Sequence, residues 1–307
     1  MNKLALNRRQ FSFAVASTTL TVWVKPAPGT DAADAPYVVD SAWLQARLPS
    51  DPNVVLLDAS SLRTYTSEHI RGAVHCWWQD TMEWNNVVYG TTLSTGGTAA
   101  RAQLLEDLGI DDSTLVVAYD DENNRWAARM VWFLRWLNHG AAAVLDGGLN
   151  AWKSANGPVG RGSNSAAKRG IPTIKTQSSL LISTSRLQTR LKTGQSQIVD
   201  VRTDNEAHDT ANGASKLGRM PTSISFPWTN AIADDRLKTA DELRALLTSA
   251  GIAPVKEIIL YARYGVETAH SWVVLKSLGY PSVAIYDLGF VGWQMFPDRP
   301  FNALPPV

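Results

Sequence analysis

The sequence predicts an α/β protein built from two copies of one domain, each a mostly parallel sheet flanked by helices. Three observations carry this expectation. Leu105-Glu-Asp-Leu-Gly109-Ile110 precedes Leu115-Val-Val-Ala-Tyr119-Asp120, and Leu247-Thr-Ser-Ala-Gly251-Ile252 precedes Ile258-Ile-Leu-Tyr261-Ala262, with the same Gly-to-Tyr spacing. Asp146-Gly-Gly148-Leu-Asn-Ala-Trp152 is answered by Asp287-Leu-Gly289-Phe-Val-Gly-Trp293, again at one spacing. In each half short apolar runs alternate with helical patterns, which implies parallel strands with helices over the sheet faces.

In chain order, residues 1–35 read as an export signal. Arg8-Arg9-Gln10-Phe11 precedes an uncharged run to Val24 that is short for a membrane span, and the arginine pair gives it twin-arginine form. Ala33-Asp34-Ala35 has the small-x-small form of a cleavage site, with Ala14-Val15-Ala16 and the Ala27 region as alternatives. The N-terminal domain is placed at 36–158. There, Val74-His75-Cys76-Trp77-Trp78 reads as a strand, and Trp126, Trp132 and Trp136 recur near the helical period beside Arg125, Arg129 and Arg135, as expected of a packed helix. Residues 159–179, rich in Gly, Ser, Lys and Pro, read as a linker.

The C-terminal domain is placed at 180–307. Its strands are expected at Gln197–Arg202, Ser223–Phe226, Glu257–Tyr261 and Ser282–Asp287, enriched in branched residues and bounded by Gly, Pro or Asp. Thr239 with Glu242 three residues later forms a capping box, and Gly251 stops that helix. A second helix runs from Val266 to Leu278, ended by Gly279. Ligands of such sheets bind off the carboxyl ends of the strands, which puts the interest on Ala262 to Thr268.

Composition excludes several classes. The 307 residues carry 29 Lys+Arg and 28 Asp+Glu, a net charge of +1, so no nucleic-acid partner is expected. Without its leader the chain would carry about −1, and no later stretch could anchor it stably in a membrane, so a periplasmic or otherwise exported protein is expected. One cysteine excludes an intramolecular disulfide and a CxxC motif. His69, His75, His139, His208 and His270 show no ligand spacing, so neither metal nor cofactor is expected.

The two halves resemble the tandem rhodanese family, the thiosulfate and 3-mercaptopyruvate sulfurtransferases. The resemblance rests on Leu57-Asp58 with His69-Ile-Arg-Gly-Ala73, Tyr119-Asp120 and Asp146 to Trp152, then on Asp200-Val-Arg202, Gly218 to Ser223, Tyr261 to Gly265 and Leu278-Gly-Tyr280. It implies two rhodanese-like domains, the first catalytically silent. In the second, a cysteine opening a C-R/G-x-G-V-T loop takes sulfane sulfur as a persulfide and passes it to cyanide or a thiol.

That position is Ala262. A methyl group has no lone pair or ionisable proton, so it cannot carry a persulfide. Arg263, Gly265 and Val266 match the family's loop, whereas Tyr264 and Glu267 depart from it and Glu206 stands where tandem relatives often carry a substrate-binding arginine. Arg263 to Thr268 and Arg202 are the expected substrate-binding residues, for a small sulfur-containing anion and a thiol or cyanide acceptor, with Arg263 and the loop amides holding the donor and Arg202 ordering the loop from beneath. Two origins of Ala262 stay open: a single substitution from Cys, or a natural non-catalytic protein binding a small anion, a sulfur compound or a protein partner. A related cysteine-loop phosphatase would need the same missing nucleophile.

Other residues read as structural. Alternation points His75 and Cys76 to opposite faces, so Cys76 is expected as a small buried hydrophobe. His270 is expected as a packing or capping group. Asp120, the counterpart of Ala262, is followed by Asp121 and Glu122 and reads as an exposed acidic turn. Trp77, Trp78 and Trp84 are candidates to face a pocket between the two copies.

Overall fold

A computed structural model describes residues 35–77, 97–166, 168–208, 217–296 and 298–304. The expected leader lies, except for Ala35, outside the described residues, as do Trp78 and Trp84.

The N-terminal half runs β1 (Val38–Val39), α1 (Ser41–Arg47), β2 (Val54–Asp58), α2 (Leu62–Ser67), β3 (His69–Ile70), β4 (Val74–His75), α3 (Gly97–Asp107), β5 (Leu115–Tyr119), α4 (Arg125–Trp136), β6 (Ala142–Leu145), α5 (Gly148–Ser154) and β7 (Val159–Gly160). The C-terminal half continues with α6 (Thr184–Thr193), β8 (Ser196–Asp200), α7 (Asp204–His208), β9 (Gly218–Arg219) and β10 (Ile224–Ser225). After a 3-10 turn at Trp228–Ala231 come β11 (Ile232–Ala233), β12 (Arg236–Leu237), α8 (Ala240–Ser249), β13 (Glu257–Tyr261), α9 (Val266–Ser277), β14 (Val283–Ile285), α10 (Gly289–Gln294) and β15 (Asn302–Ala303).

Each half centres on one parallel sheet, in the order β1-β6-β5-β2-β4 and β10-β8-β13-β14. Leu181 bridges Ile285 in parallel at the second sheet's edge, where the first sheet has β1. Every residue of β5 is buried, as expected of a strand covered on both faces by helices. Local signals hold: Thr239 and Glu242 make both bonds of the capping box on α8, and Gly251 and Gly279 follow their helices with φ of +76° and +87°.

Helices α4 and α9 pack against each other, and the largest apolar cluster runs through both halves, from Trp132 to Trp272. The tryptophans of α4 are therefore buried between the halves. One expectation needs correction. The strand expected at 74–78 pairs with β2 only over Val74–His75. The stretch expected as a linker is bound to the N-terminal half: β7 pairs with β3, Gly170 donates to the Glu106 carbonyl at 3.0 Å, and Gln177 donates to the Trp136 carbonyl at 2.7 Å. Backbone polar groups laid on a surface find partners there, which a Gly- and Ser-rich composition does not reveal.

Candidate anion site at the strand-to-helix loop

The loop of interest leaves β13 at Tyr261 and enters α9 at Val266. Gly265 caps that helix with φ of +80°, a conformation open to glycine, and a Cβ there would lie 2.5 Å from Asp287 Oδ1. Gly289 makes a second close approach: its Cβ would stand 2.1 Å from the Arg263 carbonyl oxygen. This lets the start of α10 hold the loop, through the Phe290 amide donating to the Ala262 carbonyl at 2.8 Å. Ala262 is fully buried at the base of the turn, Arg263 and Tyr264 are half-buried, and the Thr268 hydroxyl donates back to the Gly265 carbonyl. Ala262 to Gly265 thus form one turn that runs directly into the first turn of α9 at Val266 to Thr268.

The N-terminal copy shows what such a turn can hold. Asp120 follows β5 as Ala262 follows β13. Its Oδ1 accepts from the amides of Glu122 (2.8 Å) and Asn124 (2.9 Å), and its Oδ2 from those of Trp126 and Ala127 (both 2.8 Å). The expectation of an exposed acidic turn at Asp120 is therefore wrong, for the residue is only 2% exposed. Its carboxylate is the internal ligand of an amide cradle, the arrangement by which a helix N-terminus binds anions. Burial pushes this carboxyl up to about 6, against the pull of the four amides. In the C-terminal copy a methyl group stands at that position.

Charged groups surround the loop. Glu267, on the first turn of α9, is mostly buried, and burial raises its pKa; Arg125 of the N-terminal half, 3.8 Å away, pulls the other way, and Glu206 adds to the rise. The Arg125 guanidinium lies over Trp126 at 3.8 Å, and Trp77 packs against the same indole at 5.9 Å. His270, one turn further along α9, meets Trp228 edge-to-face at 5.3 Å, and both its ring nitrogens are buried without a partner. Burial lowers its pKa to about 4, so it is a neutral packing group at neutral pH.

Arg202 was expected at the substrate; the structure places it among protein partners. Its Nε and Nη2 donate to Asp200 at 2.9 and 2.7 Å, Nη2 also reaches the Gly218 carbonyl at 2.7 Å, and the guanidinium lies 4.4 Å from the Phe290 ring. It therefore supports the start of α10, and α10 in turn holds the loop. Arg219 and the Tyr261 hydroxyl share the same Asp200 carboxylate.

Arg129 was expected only to pack. Its Nη1 donates across the halves to Asp287 Oδ1 at 2.7 Å and to the Gly265 carbonyl at 3.2 Å. The sign in the sequence is an arginine inside a tryptophan-rich stripe, because a buried guanidinium requires a partner. The equivalent Asp146 accepts the Leu237 amide of the C-terminal half at 2.9 Å, so each half secures the other's aspartate.

Cys76 is buried, with its sulfur 4.0 Å from Met130 Sδ, while His75 bonds the Ser60 carbonyl at 2.9 Å. Among the described residues no group of three His, Cys, Asp or Glu side chains is placed to hold a metal, and no helix is long and apolar enough to cross a membrane.

The rhodanese-like domain model matches the chain twice, over residues 40–155 and 183–296. The chain belongs to the rhodanese family. Both loops of this rhodanese fall inside the matched segments. It is similar to the sulfur carrier protein TtuD of Thermus thermophilus, 32% identical over 83% of this chain and 93% of the relative. It is also similar to the thiosulfate sulfurtransferase of Azotobacter vinelandii, 30% identical over 88% of this chain and 98% of the relative. Among solved structures, SseA from Escherichia coli, described as a 3-mercaptopyruvate sulfotransferase, shares the fold with a TM-score of 0.74 and 22% identity, over 83% of this chain and 99% of that one.

Proposed function

We propose that this rhodanese is a sulfurtransferase scaffold that holds a small anion on the Ala262–Thr268 loop and, with alanine at residue 262, does not move sulfane sulfur from thiosulfate or 3-mercaptopyruvate to a thiol or cyanide. The supporting observation is the pairing of Asp120 with Ala262. At one position of the repeated loop a carboxylate accepts four amide N–H groups; at the other there is a buried methyl group incapable of covalent catalysis. The names of the relatives, a sulfur carrier and a thiosulfate sulfurtransferase, support a sulfur compound as substrate, here read as a sulfur-containing anion. Arg263 and the loop amides hold the anion, while Glu267 and Glu206 weaken the site for a dianion such as thiosulfate. The leader at 1–35 fits an exported, periplasmic protein.

The test is mass spectrometry of the intact protein after incubation with thiosulfate, beside calorimetric titration of the same anion. The proposal expects no added sulfur atom on the chain, and saturable binding that weakens in Arg263→Ala. Sulfur retained on the protein through gel filtration would overturn it.

A further inference from the structure

At the end of α4 and α9 remote from the loop lies a cavity of 580 Å³ between the two halves, within the size range of small-molecule sites. Lys276, which lines it, lies eight residues beyond Thr268 along α9, about 12 Å at 1.5 Å per residue. Two cations line it. Arg135 is only 6% exposed; its Nε and Nη2 donate to the carbonyls of Ala35, Pro36 and Ala142, and among the described residues its Nη1 has no hydrogen bond. Lys276 donates to the carbonyls of Tyr280 and Pro281, both at 3.1 Å.

Carbonyl oxygens satisfy donors but cancel no net charge. Among the described residues neither cation has a carboxylate partner, although a buried charge such as that of Arg135 ordinarily requires one; Lys276 is half-buried. The acid that lines the cavity, Asp112, is taken by the amide and hydroxyl of Thr173 at 2.8 and 2.6 Å. The wall beside the cations is aromatic: Tyr37 meets Trp272 edge-to-face at 5.4 Å, and the Arg135 guanidinium lies 4.0 Å from the Tyr37 ring. From this we infer a second ligand site, separate from the loop, that takes a small aromatic carboxylate, its anion facing Arg135 and Lys276 and its ring lying against Tyr37, which the buried Trp272 backs.

The test is calorimetric titration of the full chain with 4-hydroxybenzoate, with the neutral benzamide and with inorganic phosphate. The expected result is saturable binding of 4-hydroxybenzoate, at least about tenfold tighter than benzamide or phosphate, weakened about tenfold in Lys276→Gln and unchanged in Arg263→Ala. The comparison of the three compounds on the unaltered protein needs no variant to fold. Absence of saturable binding, equal affinity for benzamide or phosphate, or the same affinity in a folded Lys276→Gln would each overturn the inference. Loss of binding in Arg263→Ala would overturn the separateness of the two sites.

Discussion

Arg129 of the N-terminal half and Asp287 of the C-terminal half form a fully buried ion pair at 2.7 Å, and the same guanidinium nitrogen holds the carbonyl of Gly265. The N-terminal copy thereby fixes the position at which the other copy's loop turns into α9. Removing one member of such a pair leaves the other charged and unsolvated. Arg129→Ala is expected to lower stability by about 3–5 kcal/mol, read from urea unfolding, and to weaken anion binding at the loop. A loss within about 0.5 kcal/mol, the range of ordinary surface substitutions, would show that the pair does not bind the halves together.

Gly289 offers a test that introduces no charge. With φ of +61° and a prospective Cβ 2.1 Å from the Arg263 carbonyl, Gly289→Ala must push α10 off the loop. The expected cost is at least about 2 kcal/mol, with lost anion binding in whatever protein remains folded. A folded variant with undiminished affinity would mean that α10 does not shape the loop.

The buried carboxyls of Asp120 and Asp146, both raised to about 6, predict how stability depends on pH. Between the ordinary value of 3.8 and about 6 the native state keeps protons that the unfolded chain has released. Their contribution is therefore fully present below about pH 4 and is lost as the pH rises through about 6, on the order of 2–3 kcal/mol per group. Asp120→Asn preserves the shape and removes one titration, so its stability should fall less steeply over that interval. Parallel curves for variant and parent would contradict this.

Glu267 is raised by burial and lies beside the anion site. Once ionised it repels an anion on the loop, so thiosulfate affinity should rise as the pH falls through its titration. Glu267→Gln should bind thiosulfate several-fold more tightly and lose that pH dependence, since about 1.4 kcal/mol of relieved repulsion is a tenfold change. Affinity unchanged in the variant would place the carboxylate away from the anion.

Much of this was legible in the sequence because it depends on local signals. The Gly-to-Tyr spacing marks both copies, β13 lies at Glu257–Tyr261 as expected, and the Thr239 capping box forms. Asp120 was misread because three acidic residues in a row suggest solvent, and only the folded turn directs four amides at the first of them. Arg202 was expected both to order the loop from beneath and to bind substrate; the Asp200 two residues before it holds its guanidinium, a pairing that the short Asp-Val-Arg spacing makes available locally. The crossing of Arg129 and the cavity at Arg135 depend on how α4 meets α9, a relation between distant segments that no local pattern records.

The central claim is that the loop keeps an anion-holding turn and lacks the nucleophile for sulfur transfer, Tyr264 and Glu267 notwithstanding, and Ala262→Cys tests it most directly. A thiolate there would attack the outer sulfur of thiosulfate, breaking the S–S bond and releasing sulfite. Cyanide would then take that sulfur from the persulfide, leave as thiocyanate and return the thiolate. Thiocyanate formation from thiosulfate and cyanide, with the unaltered protein as blank, should appear in Ala262→Cys alone. A folded Ala262→Cys that forms none, from thiosulfate or from 3-mercaptopyruvate, would contradict the account and show that the loop no longer supports sulfur transfer.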